Sequence, residues 1–503
     1  GLAWVIANFD KHIAGSATPQ PREYTYPQLY SIERTGLASG LRRFGPHDWY
    51  ARGATFLLKA QQKNGSWGGG EKDVSLGNSV VNASFAMLFL HRGSTPVAFN
   101  KLDYTDGVTT DADKAFWNQR PRDVANLTRW LSKSLERELR WQIVRTDSDL
   151  PALLESPLLY VSGGNAVAFK PEVKALLKSY VESGGMIVAH ADGNNEGFNK
   201  SMMDLGKELF PANEWRELPD DHPIYTNQTY RREAMKTKPQ MRGLSNGVRE
   251  MIVLLHNGDP AKAWQLRNAN SRPESWQLAA NLISYVTDKS TFYPRGTSWL
   301  AEASSTAKVT RTLTVGRLKY SGNWDPEPQA WAQLSKYARA RKGLEVKTEV
   351  VEAGKAVPKV NLLVISGTSA FQLDEAARKE IKTYADAGGT VLFEAVGGSA
   401  AFGSSAEVEL AKMYGAESLK HLPSKHPIYG TDLKISFRPF NIMTVENPIA
   451  PQIRGVEDSG RVKALLSQHD ITAGLLGIPT DGITGYMPES ARALMTQLLG
   501  SLK

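Results

Sequence analysis

One segment of this chain occurs twice. Residues 158–225 and 362–429 align without a gap at a constant offset of 204. Leu158, Leu159, Ser162 and Gly163 fall on Leu362, Leu363, Ser366 and Gly367, Gly184-Gly185 on Gly388-Gly389, and His222-Pro223-Ile224-Tyr225 on His426-Pro427-Ile428-Tyr429. A repeat unit of about 200 residues is far longer than a solenoid turn and has the size of a globular domain. The copies are therefore expected to be two folds of one kind, each readable against the other.

With 503 residues the chain has room for about three domains, two of them the copies. Its net charge of +8 is spread evenly: the region from residue 308 holds 24 Lys and Arg against 20 Asp and Glu, half of the excess. The most basic local stretch, Arg120, Arg122, Arg129, Lys133, Arg137 and Arg140, is interrupted by Glu136 and Glu138 and reads as a solvated helix face, so no nucleic acid is expected. No apolar run approaches the roughly 18 residues that span a bilayer. The absence of cysteine removes disulfides, thiol nucleophiles and cysteine-bound zinc. The chain opens Gly-Leu-Ala-Trp without an initiator Met or a signal-peptide pattern, and reads as the remainder of something longer.

Residues 1–93 form a first unit with helical stretches near 2–12, 27–41, 47–62 and 78–91, split by turn material at Gly15-Ser16, Pro19 to Pro21, Gly45-Pro46 and Gly65 to Gly70. Arg52-Gly53, Phe56-Leu57-Leu58, Gln61, Gly65 and Trp67 reproduce the repeat spacing of squalene cyclases and prenyltransferase-like α/α toroids. Leu29 to Arg34 and His47-Asp48-Trp49-Tyr50 also resemble such proteins. In that repeat the Gln ties a helix end to the next turn and the Trp stacks on it, a structural task. Cyclase chemistry needs a protonating acid in an Asp-rich cluster, and no Asp-x-Asp-Asp run exists here. The unit is expected to be the end of a toroid, covered either by missing N-terminal repeats or by a partner chain.

Each copy alternates apolar strands with amphipathic helices, the pattern of a doubly wound parallel sheet. Strands are expected near 97–103, 141–145, 158–162 and 186–190, and near 314–320, 344–350, 361–366 and 390–394. A helix carries Leu127, Leu131, Leu135 and Leu139, and a second, about 171–183, ends at Gly184. Trp117-Asn118-Gln119-Arg120-Pro121-Arg122-Asp123-Val124-Ala125-Asn126-Leu127 and Leu318-Lys319-Tyr320-Ser321-Gly322-Asn323-Trp324-Asp325-Pro326 resemble the family called domain of unknown function 4159, as do the Gly-Gly strand openings, the Phe198 to Phe210 helix, and Leu218-Pro219 with its echo Leu422-Pro423. The resemblance covers about 95–503. It implies a class I glutamine-amidotransferase-like fold, flavodoxin-like in topology, which in planctomycete-type bacteria often follows a toroid, and it carries no established activity. The expected organisation is a toroid segment 1–93, a first α/β domain 94–290, a linker 291–307 and a second α/β domain 308–503, in a bacterial protein located outside the cytoplasm, periplasmic or secreted.

An open sheet of this kind binds ligands at the carboxyl ends of its strands. Ser162 and Ser366 sit near the corner where amidotransferases place a nucleophile, but Val161-Ser162-Gly163-Gly164 lacks the Gly-x-Ser-x-Gly elbow and suits a turn better. His190 and Asp192 end a strand and could act as an acid/base pair or as two metal ligands. Relatives carry an acidic residue and cysteines there; copy two has Glu394 and Val396, so a mechanism common to both copies is not expected. His222 and His426 precede prolines and read as structural. Asp106, Gly163 and Gly164 in copy one and Asn323, Trp324 and Asp325 in copy two are the candidate ligand contacts. Trp67 and Trp130 read as core, whereas Trp117, Trp299 and Trp324 lie in loops and could serve as stacking platforms. No metal or cofactor is expected. The leading reading is a non-catalytic binding or scaffold protein, a subunit of a larger assembly. The alternative is a hydrolase working through Asp106, Ser162, His190 and Asp192.

Overall fold

The structure, a computed structural model, describes residues 1–10, 24–68, 79–109, 116–289, 291–304, 306–430, 433, 435–438 and 451–502. The turns at Gly15-Ser16 and Pro19 to Pro21, and Gly69-Gly70, lie outside the described residues. The first unit contains α1 (Leu2–Phe9), α2 (Thr25–Ser39), a ribbon of β1 (Arg43–Phe44) and β2 (His47–Asp48), α3 (Trp49–Ala60) and α4 (Ser79–Gly93). The helix expected from residue 47 starts at Trp49, because His47 and Asp48 pair with Phe44 and Arg43 and the Asp48 carboxylate accepts from the Ala51 N–H at 3.0 Å as its cap. Trp49, Leu57, Phe44 and Phe89 form its core. Gln61 Nε2 donates to the Gly65 carbonyl at 3.1 Å and Trp67 Nε1 to the Leu57 carbonyl at 2.8 Å, so both tie the helix end to the turn that follows.

Copy one runs β3 (Val97–Asp103), α5 (Asp123–Ser134), β4 (Arg140–Arg145), α6 (Leu150–Leu153), β5 (Leu158–Gly163), α7 (Pro171–Glu182), β6 (Met186–Ala191), α8 (Glu196–Leu209), β7 (Trp215–Glu217), α9 (Pro223–Thr226), β8 (Arg242–Ser245), β9 (Glu250–Leu255), α10 (Pro260–Leu266) and α11 (Pro273–Val286). Copy two runs β10 (Arg311–Lys319), α12 (Ala330–Lys342), β11 (Leu344–Glu352), β12 (Leu362–Gly367), α13 (Glu375–Asp386), β13 (Val391–Ala395), α14 (Ala400–Tyr414), β14 (Leu419–His421), β15 (Ile453–Asp458), β16 (Arg461–Ser467), α15 (Thr472–Leu476) and α16 (Pro488–Ser501). Each builds a seven-stranded sheet in the same order, β4-β3-β5-β6-β9-β8-β7 and β11-β10-β12-β13-β16-β15-β14. The duplication is thus two tandem α/β domains.

The central strands form as expected because they are apolar along their whole length and buried on both faces, the signature of a parallel sheet under two helix layers. Gly184 closes α7 at φ +104, a value that excludes most side chains. The sheets nevertheless depart from the purely parallel expectation. In each, the last two strands join antiparallel, β9/β8/β7 and β16/β15/β14, and three strands per copy were not anticipated. Leu135 and Leu139 continue the leucine spacing of α5 past its end at Ser134, and Leu139 packs into the core from the following connection.

The copies are joined by buried polar bonds as well as apolar packing. Arg249 and Glu327, each with a side chain about 1% exposed, meet through Nε–Oε1 at 2.8 Å and Nη2–Oε2 at 3.2 Å. Asn246 Nδ2 donates to the Glu327 carboxylate and the Pro326 carbonyl, both at 2.8 Å. The segment after α11 touches all three units. Arg295 lies over the Trp49 ring at 4.5 Å and donates to the Arg42 carbonyl. Trp299 Nε1 donates to Ser183 of copy one at 2.7 Å, while the Trp299 carbonyl accepts from Arg492 of copy two at 3.0 Å. Among the described residues no helix is long and apolar enough to cross a membrane.

Candidate functional site

The strand ends of both copies share one frame. Ser162 Oγ donates to the Trp117 carbonyl and Ser366 Oγ to the Trp324 carbonyl, each at 2.9 Å. Tyr104 and Tyr320 hydroxyls donate to the carbonyls of those same serines at 2.9 and 3.1 Å. Both hydroxyls of the expected Ser-Gly corner are therefore committed to fixing a loop, the turn role. His222 and His426 each accept a backbone N–H at Nδ1, from Ile224 and Ile428 at 3.2 Å, which leaves Nε2 to donate to Glu250 or Glu457. They cap a short helical turn, as their structural reading requires.

What sits on that frame differs. In copy one, His190 lies fully buried at the end of β6 between two carboxylates: Nδ1 is 3.5 Å from Asp192 Oδ1 and Nε2 is 3.4 Å from Asp259 Oδ1. Arg120 closes the ring, with Nη1 2.7 Å from Asp192 Oδ1 and Nη2 bonded to Asp259 Oδ2. Asp259 caps α10 by accepting from the Lys262 N–H and also holds the Gly193 N–H at 3.1 Å. Burial alone would drive the His190 imidazolium to lose its proton, but the two carboxylates outweigh it and the pKa is raised. Burial likewise opposes the Asp259 charge, yet His190 and Arg120 hold it down at about 2. Two anions face one imidazolium and one guanidinium, so the ring is neutral when His190 is protonated. A second buried pair, Lys101 Nζ to Asp123 Oδ1 at 2.7 Å, lies behind it. There burial outweighs Lys101 and raises the Asp123 pKa.

His190, Asp192 and Asp259 offer ligand atoms within 4.8 Å of one another, the donor set a divalent cation would use. Arg120 stands on both carboxylates and supplies positive charge where that cation would. His190 Nε2 and Asp192 Oδ2 are left without a hydrogen bond.

In copy two the same places carry Glu394, Val396 and Asp470. Gly397 N–H donates to Asp470 at 2.9 Å as Gly193 does to Asp259, which makes the two aspartates equivalent. Glu394 accepts from the backbone of Ile471 and Thr472 at 2.8 and 2.6 Å and from the Thr472 hydroxyl at 2.6 Å. Burial, then the Asp470 charge, push its pKa up to about 7 despite those donors. Counted from the equivalent tryptophans, Glu327 stands where Arg120 stands, and it turns instead to Arg249 of the other copy.

The structure thus brings His190 and Asp192 together and adds Arg120 and Asp259. Arg120 is no solvated helix face: it precedes α5, its side chain is 14% exposed, and it bridges two carboxylates. Asp106 pairs with Arg145 at 2.6 Å, and Ser162 makes none of the ring's bonds. A side chain at Gly163 would overlap Tyr104 and Phe198, and one at Gly164 would overlap the Gln119 amide, so protein fills both positions. Gly163→Ala is expected to lose about 1–3 kcal/mol of stability by overpacking, read as a shift of the urea midpoint. Asn323, Trp324 and Asp325 line a cavity of about 500 Å³ between the copies. There Asn323 Nδ2 donates to the Asn246 carbonyl and to Thr368, Asp325 pairs with Arg317, and the Arg317 guanidinium lies 5.6 Å over the Trp324 ring. Trp117 Nε1 donates to Thr105 at 2.9 Å, and Trp130 packs partly buried against Tyr230 and Trp276.

Two tandem α/β domains with divergent buried ionic clusters at equivalent strand ends define the class of protein. The chain belongs to the family described as Domain of unknown function (DUF4159), whose model matches residues 99–287 and again 314–480. No curated protein matches it.

Proposed function

We propose that this chain is a non-catalytic binding or scaffold protein, a subunit of a larger assembly, made of a toroid end (1–93), two degenerate flavodoxin-like domains of the glutamine-amidotransferase type (94–290 and 308–503) and a linker (291–307). One observation carries the reading: polar groups that could do chemistry at the strand ends are bonded to the protein itself. Ser162 and Ser366 hold loops, Arg120 neutralises Asp192 and Asp259, and Glu394 is held by backbone donors. The bonds of Gln61 and Trp67, which tie the end of α3 to the turn that follows, support the toroid reading. Exposed Leu2, Trp4, Leu58 and Met87 give residues 1–93 an apolar surface suited to upstream repeats or a partner chain.

The unbonded Oδ2 of Asp192, beside a His190 whose Nε2 lies 3.4 Å from Asp259, favours the second reading, a hydrolase acting through copy one. Zinc titration followed by metal analysis, with a panel of ester, amide and phosphoester substrates, separates the two. The scaffold reading expects neither bound zinc nor turnover in the wild type, and expects Arg120→Ala to gain zinc binding in the micromolar range as the three donors lose their guanidinium. Turnover or stoichiometric zinc that disappears in His190→Ala and Asp192→Ala overturns it.

A further inference from the structure

Each sheet begins on a parallel edge strand, and the two edges differ in what covers them. In copy one the edge is β4, and the first unit lies along it: Leu41 forms a parallel bridge with Ile143, whose N–H donates to the Gly40 carbonyl at 2.6 Å. In copy two the edge is β11, nine residues long against six. Asp103 lies beside Arg145 as Lys319 lies beside Glu352, and Tyr104 and Tyr320 follow with matching bonds, so Val350 stands where Ile143 stands. Val350 is 48% exposed. Among the described residues no strand pairs with β11 on its outer side.

Along a strand the N–H and C=O of successive residues point to alternate sides, so the residues that offer both outward can be assigned. The Gly343 carbonyl accepts from the Arg311 N–H, and the Ala353 N–H donates to the Lys319 carbonyl, so the odd-numbered residues face β10 and the even-numbered ones face outward. Ser335 Oγ takes the Val346 N–H at 2.9 Å. That leaves the N–H groups of Thr348 and Val350, and the carbonyls of Val346, Thr348 and Val350, on an edge ready to pair with another chain. When a second molecule is laid antiparallel on this edge, outward residues must face outward residues. Thr348 against Thr348 then sets Lys347 of each chain opposite Glu349 of the other and Val346 opposite Val350. Moving the centre by one residue sets Lys347 against Lys347 or Glu349 against Glu349. Centring on Val346 pairs Glu345 with Lys347 but spends the middle of the contact on two N–H groups already bonded to Ser335, and centring on Val350 sets Glu349 against Val351. The Thr348 register alone combines opposite charges with free backbone: two bonds between the Thr348 residues and two from Val350 N–H to Val346 carbonyls. The Lys347 side chain is 65% exposed, so it can reach across.

We infer that β11 is the surface through which two molecules of this chain join, antiparallel about Thr348, into one continuous sheet. Cross-strand pairs of opposite charge and of β-branched residues stabilise such a contact, and like charges opposed in the neighbouring registers disfavour slippage. The contact is the same patch on both molecules, so it closes at two. It lies on copy two, apart from the apolar surface of residues 1–93, and does not depend on what that surface meets.

Sedimentation equilibrium of the full chain at low ionic strength, where exposed charges are least screened, tests this. The wild type is expected to dimerise below about 100 µM. Lys347→Glu and Glu349→Lys each turn two opposite-charge pairs into like pairs, and each is expected to weaken the dimer about tenfold. An equimolar mixture of the two variants is expected to form a heterodimer as tight as the wild-type dimer, since a glutamate then meets a lysine in both pairs. Recovery in the mixture also shows that both variants are folded. A wild type that stays monomeric at that concentration, a dimer that both variants leave unchanged, as one built on residues 1–93 would be, or a mixture no tighter than its components overturns the proposal.

Discussion

Glu327→Ala is expected to cost the folded chain about 3–5 kcal/mol, the penalty for removing one partner of a buried ion pair. Arg249 would keep its bonds to the carbonyls of Gly185 and Val181 but lose the one carboxylate it pairs with among the described residues, in a place water does not reach. Asn246 would lose an acceptor as well. Arg249→Ala should cost as much, since it strands the carboxylate and two carbonyls together. The Arg249→Met, Glu327→Met double variant should recover part of the loss, because two unpaired charges are gone while the Gly185 and Val181 carbonyls still lack their donor. Urea unfolding of the wild type, Arg249→Met, Glu327→Met and the double variant gives the coupling energy. A loss below about 1 kcal/mol in Glu327→Ala would mean that the copies do not depend on this bond.

The second large effect is on pH. Glu394 binds its proton more tightly in the folded chain, with a pKa of about 7, than at its ordinary value of 4.5. Between these values the folded state holds more protons than the unfolded one, so stability falls as pH rises, by about 3 kcal/mol over the interval. The Asp470 carboxylate facing it is also raised by burial, against the pull of Arg438 and three backbone donors. Glu394→Gln should flatten this slope, since the amide oxygen can accept from Ile471 and Thr472 and the Thr472 hydroxyl can turn from donor to acceptor. His190 works in the same direction at higher pH: its raised pKa gives stability present below 6.5 and lost above the folded value. Asp259 works in the opposite sense, its contribution lost as pH falls from 3.8 toward about 2. The difference in melting temperature between pH 5 and 7.5 should shrink in Glu394→Gln, what remains coming from groups such as His190 and Asp470 whose folded pKa is also raised. An unchanged difference would place the titration elsewhere.

The core of each sheet was legible because burial on both faces leaves nothing but apolar residues, as in Leu158 to Val161 and Met186 to Ala189. The edges were not. Trp215–Glu217 is three residues long and mostly exposed, and Arg242–Ser245 is held by its pairing with β9, so neither has a pattern of its own. Met251 to Leu255 is a fully apolar run that could have been read as a buried strand. The candidate cluster divides the same way. His190 and Asp192 are neighbours on one strand end and were visible, whereas Arg120 reaches Asp192 across 72 positions and Asp259 across 139. The only local sign of Asp259 was Gly258-Asp259-Pro260, a helix start with a capping acid and a proline at the first turn. Arg120 was visible as charge and as one residue of the Trp117 to Leu127 segment, and neither says which carboxylate it will meet.

The bond between Arg249 and Glu327 joins two unlike surfaces of two like domains, and a contact of that kind can in principle be repeated without end. Arg461 repeats the anchoring of Arg249, donating to Gly389 and Ala385 where Arg249 donates to Gly185 and Val181. Its surroundings do not repeat. Asp458 stands where Asn246 would greet an incoming glutamate, and Lys463 ties Asp458 and Asp386 into an exposed ion network. At the other end Arg120 replaces the glutamate that would reach out. The far face of copy two thus offers a different set of charges, and the near loop of copy one is electrostatically inverted, so neither face repeats the Arg249–Glu327 contact.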